Sequence, residues 1–352
     1  MMRIRIRILF IGTILLLSSL GFNTEAQEAK RFGLNSTLRT FGEDINSMRE
    51  LGVGIIRVAL KWQLVRTRPG EYDWSTVDRL VKTAQTRRTE ILFTIRTIFH
   101  EGTKTHQSKR VKRTIFKEAS AVDEEQWVHF AEHLARRYQG QGVHYEIENE
   151  VNGETFWKAG LENYLELLKA GYQAIKRVDP QARVLPSAMG CGIVRNFQLD
   201  SARQEAWKLH NNWLQPILST KAFDVVNIHD YYYPSDILAN GLTFKSYLEH
   251  IRELMKKSGV GDRPVWITET GYVSSPAAAN DRVDQGSPEK QAKWLTEAYQ
   301  QAFELGVERI YWLLLHDRNE PYFGSMGLAD AKGNLRPAWS SLQQFIKERG
   351  GK

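Results

Sequence analysis

The chain has 352 residues, 25% of them charged, and a formal net charge of +7 at pH 7. That balance is basic without being extreme, and the Lys and Arg residues form no concentrated stripe of the kind that nucleic-acid binding leaves, so no nucleic-acid partner is expected. The single cysteine, Cys191, excludes an internal disulfide, so a large apolar core has to stabilise the fold.

Residues 1–26 have the layout of a secretory signal peptide. Arg3, Arg5 and Arg7 precede an apolar run from Ile8 to about Leu20, and Thr24 and Ala26 stand three and one residues before the expected cut. The apolar run is shorter than the roughly 20 residues a membrane-spanning helix needs. Secretion or periplasmic location is therefore expected, with no stable membrane association after cleavage and one domain over residues 27–352.

From Arg31 onward short apolar runs alternate with longer amphipathic ones. Strands are predicted at Phe32–Leu34, Ile55–Val58, Ile91–Ile95, Val143–Ile147, Arg183–Pro186, Val225–Ile228, Val265–Thr268 and Arg309–Leu313. Helical patterns follow the second to the eighth: TVDRLVKTAQ, EEQWVHFAEHLARRY, YLELLKAGYQAIKRV, ARQEAWKLHNNWL, YLEHIRELMKK, EKQAKWLTEAYQQAFEL and SSLQQFIKE. Ser75 and the Ser287-Pro288-Glu289 run are start signals, and Gly52, Gly259 and Gly306 can end helices in the left-handed conformation. Eight βα repeats without a Gly-x-Gly-x-x-Gly turn after the first strand predict a single-domain α/β fold, a (β/α)8 TIM barrel. Chemistry then belongs at the C-terminal ends of the strands.

Two carboxylates close strands there, Glu150 in HYEIENEV and Glu269 in VWITETGY. A barrel brings both to one rim, and facing carboxylates are what glycoside hydrolysis needs: one donates a proton to the leaving oxygen while the other attacks the anomeric carbon. Glu146, deeper in the fourth strand, reads as a structural ion-pair member. Strict alternation places Glu148 inward, one layer below Glu150, with Arg57 or a water as its expected partner.

The run YEIENEVN resembles the fourth-strand Asn-Glu motif of clan A glycoside hydrolases, and WITETGY is similar to their seventh-strand nucleophile motif. IIRVALKW, VVNIHDYYYP, IYWLLLHD and the tail FGSMGLADAKGNLRPAW look like clan segments in the same order, so the resemblance covers nearly all of residues 27–352. The phrasing EEQWVHFAEHLARRYQGQGVHYEIENEVN is most similar to family 39 and its exopolysaccharide-hydrolase relatives, with family 5 next. The resemblance implies a cofactor-free retaining β-glycosidase acting on a poly- or oligosaccharide, with Glu150 as acid/base and Glu269 as nucleophile. It further implies that Asn149 holds the sugar 2-hydroxyl, that Arg57 orients the nucleophile, that Tyr231 hydrogen-bonds it beside His229, and that Trp312 floors the sugar subsite, with Trp62 also at the substrate. Where many clan members carry Trp before the Asn-Glu pair, this chain has Glu148.

Weaker candidates keep two readings. Asn35 is a possible sugar contact; Trp157 and Tyr272 either line subsites or cover apolar gaps; His100 is left open. His316-Asp317 lacks the companions of a metal site, and none is expected. Cys191 has no base beside it and reads as a packed residue. The long segment after the third strand carries Lys104, Lys109, Arg110, Lys112, Arg113 and Lys117, a solvated face or a means of steering an anionic polysaccharide. A transglycosylase of the same fold and a carbohydrate-binding barrel without turnover are the alternatives.

Overall fold

The computed structural model describes residues 27–97, 123–153, 156–190, 200–231, 244–275, 286–319 and 324–350. The expected signal peptide, the basic run after the third strand, His100 and Cys191 lie outside these residues. The main sheet within them has eight strands, β1 Phe32–Ser36, β2 Ile55–Lys61, β3 Glu90–Arg96, β4 Val143–Ile147, β5 Val184–Pro186, β6 Val226–His229, β7 Val265–Thr270 and β8 Arg309–Trp312. Eight helices alternate with them, α1 Phe41–Leu51, α2 Ser75–Thr86, α3 Glu124–Tyr138, α4 Gly160–Val178, α5 Asp200–Thr220, α6 Phe244–Lys257, α7 Pro288–Glu304 and α8 Pro337–Gly350. Every ladder among the eight strands is parallel, in the order β5-β4-β3-β2-β1-β8-β7-β6. This is the expected (β/α)8 barrel.

The β5–β6 seam is closed differently. β5 is short and ends in Pro186, which has no N–H to give. Asp224, just before β6, supplies the missing bonds: its backbone N–H donates to the Val184 carbonyl at 2.7 Å, and its Oδ2 accepts from the Val184 N–H at 2.9 Å.

Each strand alternates between two environments. On β3, Ile91, Phe93 and Ile95 pack outward against the helices, whereas Leu92, Thr94 and Arg96 face the barrel axis. Ile55, Leu92, Leu185, Val225, Trp266 and Tyr311 form a separate apolar layer inside the barrel. Tyr311 fits because Gly33 has no side chain: a Cβ there would lie 2.1 Å from the tyrosine ring. At the N-terminal mouth an ionic cluster closes this layer. Glu90 accepts from Lys30 at 2.7 Å, Arg309 at 2.7 Å and His144 at 3.2 Å, and the Arg309 guanidinium lies 4.3 Å from the centre of the Trp266 ring.

Helix boundaries follow local chemistry. Gly52, Gly259 and Gly306 all adopt positive φ where helices end, as expected. Ser287 caps α7, its Oγ accepting from the Lys290 N–H, with Pro288 in the first turn. Ser75 lies inside α2 instead of capping it; Asp73 Oδ1 takes the Ser75 N–H at 2.9 Å. Helix α1 is marked in the sequence only by Gly52 at its end, because Gly42, Asp44, Asn46 and Ser47 are weak helix formers. Burial of Phe41, Ile45, Met48 and Leu51 overrides that weakness, and Asp44 is buried among the hydroxyls of Ser36 and Thr40.

The Glu90 cluster makes a stability prediction. Burial would raise its carboxyl pKa, but His144, Arg309 and Lys30 outweigh burial and hold it well below the usual carboxylate range. A depressed folded pKa means that the stabilisation is present above the unfolded value and is lost as pH falls through the folded one. Glu90→Gln should lower the free energy of unfolding by about 3 kcal/mol at pH 7, since it strands buried cations. In denaturant titrations the gap between wild type and variant should narrow toward pH 2.

Candidate active site

The site grows from the inward column of each strand above the apolar layer. Asn35, Arg57, Thr94, Glu146, Asn227 and Thr268 occupy the next level, joined by hydrogen bonds. Arg57 is 6% exposed and sits at the centre. Its Nε donates to Glu146 at 2.6 Å, one terminal nitrogen donates to Asn35 Oδ1 at 2.8 Å and Glu269 Oε1 at 2.6 Å, and the other donates to Asn149 Oδ1 at 2.7 Å. Thr94 and Asn227 complete Glu146, each at 2.6 Å, and Thr268 donates to Asn227 Oδ1 at 2.7 Å. Glu146 is thus the structural ion-pair member the sequence suggested.

Two departures from regular strand geometry present the carboxylates. The pairing of β7 shifts against both neighbours: Ile267 lies opposite Ile228 and Ile310, but Glu269 lies opposite His229 and Thr270 opposite Trp312. β7 therefore carries an extra residue, a bulge. Trp266 and Thr268 face inward, so plain alternation would turn Glu269 out to the helices; the bulge turns it in. On β4 the strand stops at Ile147, and Glu148 and Glu150 adopt φ of 66° and 46°. Left-handed backbone at two non-glycine residues around Asn149 stores strain of order 1–3 kcal/mol each. It is held by Glu148 N–H to Ile95 O at 3.0 Å, Glu150 N–H to Ala188 O at 3.1 Å and Val151 N–H to Ser187 Oγ at 3.2 Å. Gly190 leaves room beside Glu150, since a Cβ there would sit 3.1 Å from the carboxyl carbon.

Glu150 and Glu269 meet around His229. Its Nδ1 lies 2.8 Å from Glu150 Oε1 and 3.6 Å from Glu269 Oε2, and the ligating atoms of the three residues fall within 4.8 Å of one another. These are also the atoms that could hold a metal ion. The Tyr231 hydroxyl donates to Glu269 Oε2 at 2.7 Å. Burial would raise the Glu269 pKa, yet His229, Arg57 and the Tyr231 hydroxyl pull it down to about 2, so this carboxylate is ionised at neutral pH. Burial alone would lower the His229 pKa; Glu269 and Glu150 outweigh it and raise it above its ordinary value.

Several sequence expectations change. Glu148 does not pair with Arg57. It is fully buried and accepts from Arg96 Nε at 2.9 Å, from Thr97 Oγ1 at 2.6 Å and from the Thr97 N–H. Trp312 is no sugar floor: it follows inward Tyr311, faces α7, packs on Trp294 and donates its Nε1 to Met326 O at 2.8 Å. Trp62 is stacked on Phe130 of α3, and Trp157 donates to Gly160 O at 2.7 Å against Tyr164; both are 2% exposed, so neither offers a sugar face. Tyr272 is likewise buried, against Trp294. Asn35 spends its amide on the carbonyls of Thr268 and Trp312 and its oxygen on Arg57, so it positions the arginine. Asp317 is engaged by Arg336 and the Gly327 N–H. Sequence reading missed Asn227, Thr268 and Arg96, which the inward phase of β6, β7 and β3 could have indicated.

The cellulase (glycosyl hydrolase family 5) model matches residues 21–317, across both carboxylate-bearing strands. The chain belongs to glycosyl hydrolase family 5. That family falls within the clan A glycoside hydrolases. Similar solved structures include a family 39 glycoside hydrolase from Bacteroides cellulosilyticus WH2 at 18% identity and TM-score 0.63, covering 91% of this chain and 64% of that one. A monomeric beta-xylosidase from Caulobacter crescentus CB15 has 20% identity and TM-score 0.59 over 89% of this chain and 67% of that one. A GH5_18 protein from Bifidobacterium longum subsp. infantis has 16% identity and TM-score 0.62 over 91% and 79%. At these identities the likeness concerns the fold. The chain spans less than two thirds of the family 39 structure's length. No curated protein matches.

Family 39 led the sequence resemblance, and the matching family model is that of family 5, within the same clan. Tyr231→Phe tests how Glu269 is held ionised. Losing a hydrogen bond to a charged group should lower kcat/KM about ten- to a hundredfold. Because the donor depresses the Glu269 pKa, the acidic limb of the kcat/KM profile should move to higher pH, measured on an aryl glycoside.

Proposed function

We propose that this protein is a glycosidase, an exported retaining β-glycoside hydrolase acting on a poly- or oligosaccharide. Glu269 attacks the anomeric carbon to form a covalent glycosyl-enzyme. Glu150 protonates the leaving oxygen and then deprotonates the attacking water. The carrying observation is the spacing of the carboxylates, whose nearest oxygens lie within 4.8 Å. Retaining pairs stand about 5–5.5 Å apart, whereas inverting pairs need roughly 6.5–9.5 Å to admit a water. The unequal surroundings support the division of roles: Glu269 receives Arg57 and Tyr231 as donors, and Glu150 receives neither. Arg57 donates to Asn149 Oδ1, which leaves the amide nitrogen as the donor for the 2-hydroxyl contact.

Export rests on the character of residues 1–26. An anionic polysaccharide substrate is proposed from the basic run Lys104–Lys117. Neutralising its six cations should reduce cleavage of an acidic glycan more at low than at high salt. The similar structures include a xylosidase, a mannosidase and a beta-galactosidase, so the fold they share leaves the choice of sugar to the residues around the barrel mouth.

The two roles predict opposite phenotypes. Glu269→Ala should abolish turnover, with azide restoring it and giving a product of inverted configuration. Glu150→Ala should lose about 10²–10⁴-fold on substrates with poor leaving groups and much less on activated aryl glycosides. Product configuration by NMR with each variant checks both, and rescue in the reverse pattern exchanges the roles.

A further inference from the structure

The inner walls of β2 and β3 carry two cations that the catalytic layer does not use. On β2 the inward column runs Arg57, Ala59, Lys61, and on β3 it runs Thr94, Arg96. The parallel register sets Ala59 beside Thr94 and Lys61 beside Arg96. Ala59 is exposed although it lies mid-strand, so the barrel mouth is open at that level. At roughly 3.3 Å per residue, Lys61 lies about 13 Å along β2 from Arg57. The pair therefore faces a part of the substrate away from the scissile bond.

Arg96 is preorganised. Its Nε is fixed by buried Glu148 at 2.9 Å, one terminal nitrogen by the Phe156 carbonyl at 3.3 Å, and its guanidinium carbon lies 5.1 Å from the centre of the Phe156 ring. The remaining terminal nitrogen takes no acceptor among the described residues, and the side chain keeps 14% exposure. A guanidinium held on one edge and open on another presents donors in a fixed plane, the arrangement that recognises a carboxylate. Lys61 is half-buried beside it, and both burial and Arg96 lower its pKa.

We propose that Lys61 and Arg96 form an anion-recognising subsite that selects glycans bearing a uronate carboxylate next to the cleaved residue. This rests on the glycosidase reading above and names its substrate class. Glu148 has a place in it: its buried carboxylate fixes the Nε edge of the Arg96 guanidinium and leaves the far edge for a ligand.

The test uses β-linked oligosaccharides containing glucuronate, the same oligosaccharides after carboxyl reduction to glucose, and their 6-O-sulfated forms. Turnover by the full chain is read as product mass, and binding to Glu269→Gln protein by calorimetry. The wild type should prefer the glucuronate set. Arg96→Met and Lys61→Met should each shrink the acidic-to-neutral ratio of kcat/KM about ten- to a hundredfold, the worth of a charged hydrogen bond. Arg96→Met also leaves Glu148 buried and unpaired, so Lys61→Met, which spares that pair, decides if the first variant fails to fold. An unchanged ratio in Lys61→Met overturns the subsite and leaves the glycosidase standing. Preference for the sulfated set overturns the carboxylate assignment. If the wild type cleaves nothing, the glycosidase reading fails on this panel; binding of glucuronate oligosaccharides to Glu269→Gln protein, weakened by Lys61→Met, would still sustain the subsite, and no such binding would overturn it.

Discussion

The buried guanidinium of Arg57 is the constraint on which the site depends. An uncompensated charge at that depth would be prohibitively costly, so the donors of Arg57 must meet acceptors from several strands at once. They meet Asn35 of β1, Glu146 of β4, Asn149 just past β4 and Glu269 of β7. One planar side chain thereby fixes the relative positions of the strand ends that carry the chemistry. Lysine could not replace it, because an ammonium has neither the fork nor the reach to serve four acceptors. Glu146 is the other half of the device: it shares the positive charge, so Arg57 can sit deep without being spent wholly on Glu269.

The backbone departs from regularity where that network can hold it. Glu148 and Glu150 are left-handed, and β7 is bulged at the end that carries Glu269. Neither feature is favourable in an isolated strand. Both are pinned by side-chain and backbone bonds to neighbouring strands, and both serve to bring carboxylates to one point. The apolar layer below, filled by Trp266 and Tyr311 over Gly33, gives this polar layer a rigid floor.

This division explains what the sequence could disclose. The strands were legible because their outward residues are apolar at period two, and Glu150 and Glu269 because they stand in motifs at strand ends. Phase was harder. Trp312 alternates with Tyr311 and so belongs to the outer core, and Trp62 and Trp157 were likewise absorbed by helix packing. An aromatic residue near a strand end carries no mark of which side of the wall it faces. The bulge that turns Glu269 inward leaves no sign in WITETGY. Glu148 followed alternation toward the interior, yet its partner is Arg96, because the backbone turns at that residue and swings the side chain toward the end of β3. Helix α1 announces itself only through Gly52 at its end, its weak local propensity being overridden by tertiary burial.

His229 couples the two carboxylates through one nitrogen, 2.8 Å from Glu150 and 3.6 Å from Glu269. The charge on Glu269 raises its affinity for a proton, and that proton in turn favours the ionised form of Glu269. In the retaining mechanism proposed above, Glu269 loses its charge when the glycosyl bond forms, at the moment Glu150 gives up its proton. The imidazole then faces a single carboxylate in place of the other one, so the number of negative charges around it stays constant through the step. A site arranged in this way avoids re-solvating charge during catalysis, which is how a preorganised environment lowers a barrier without moving.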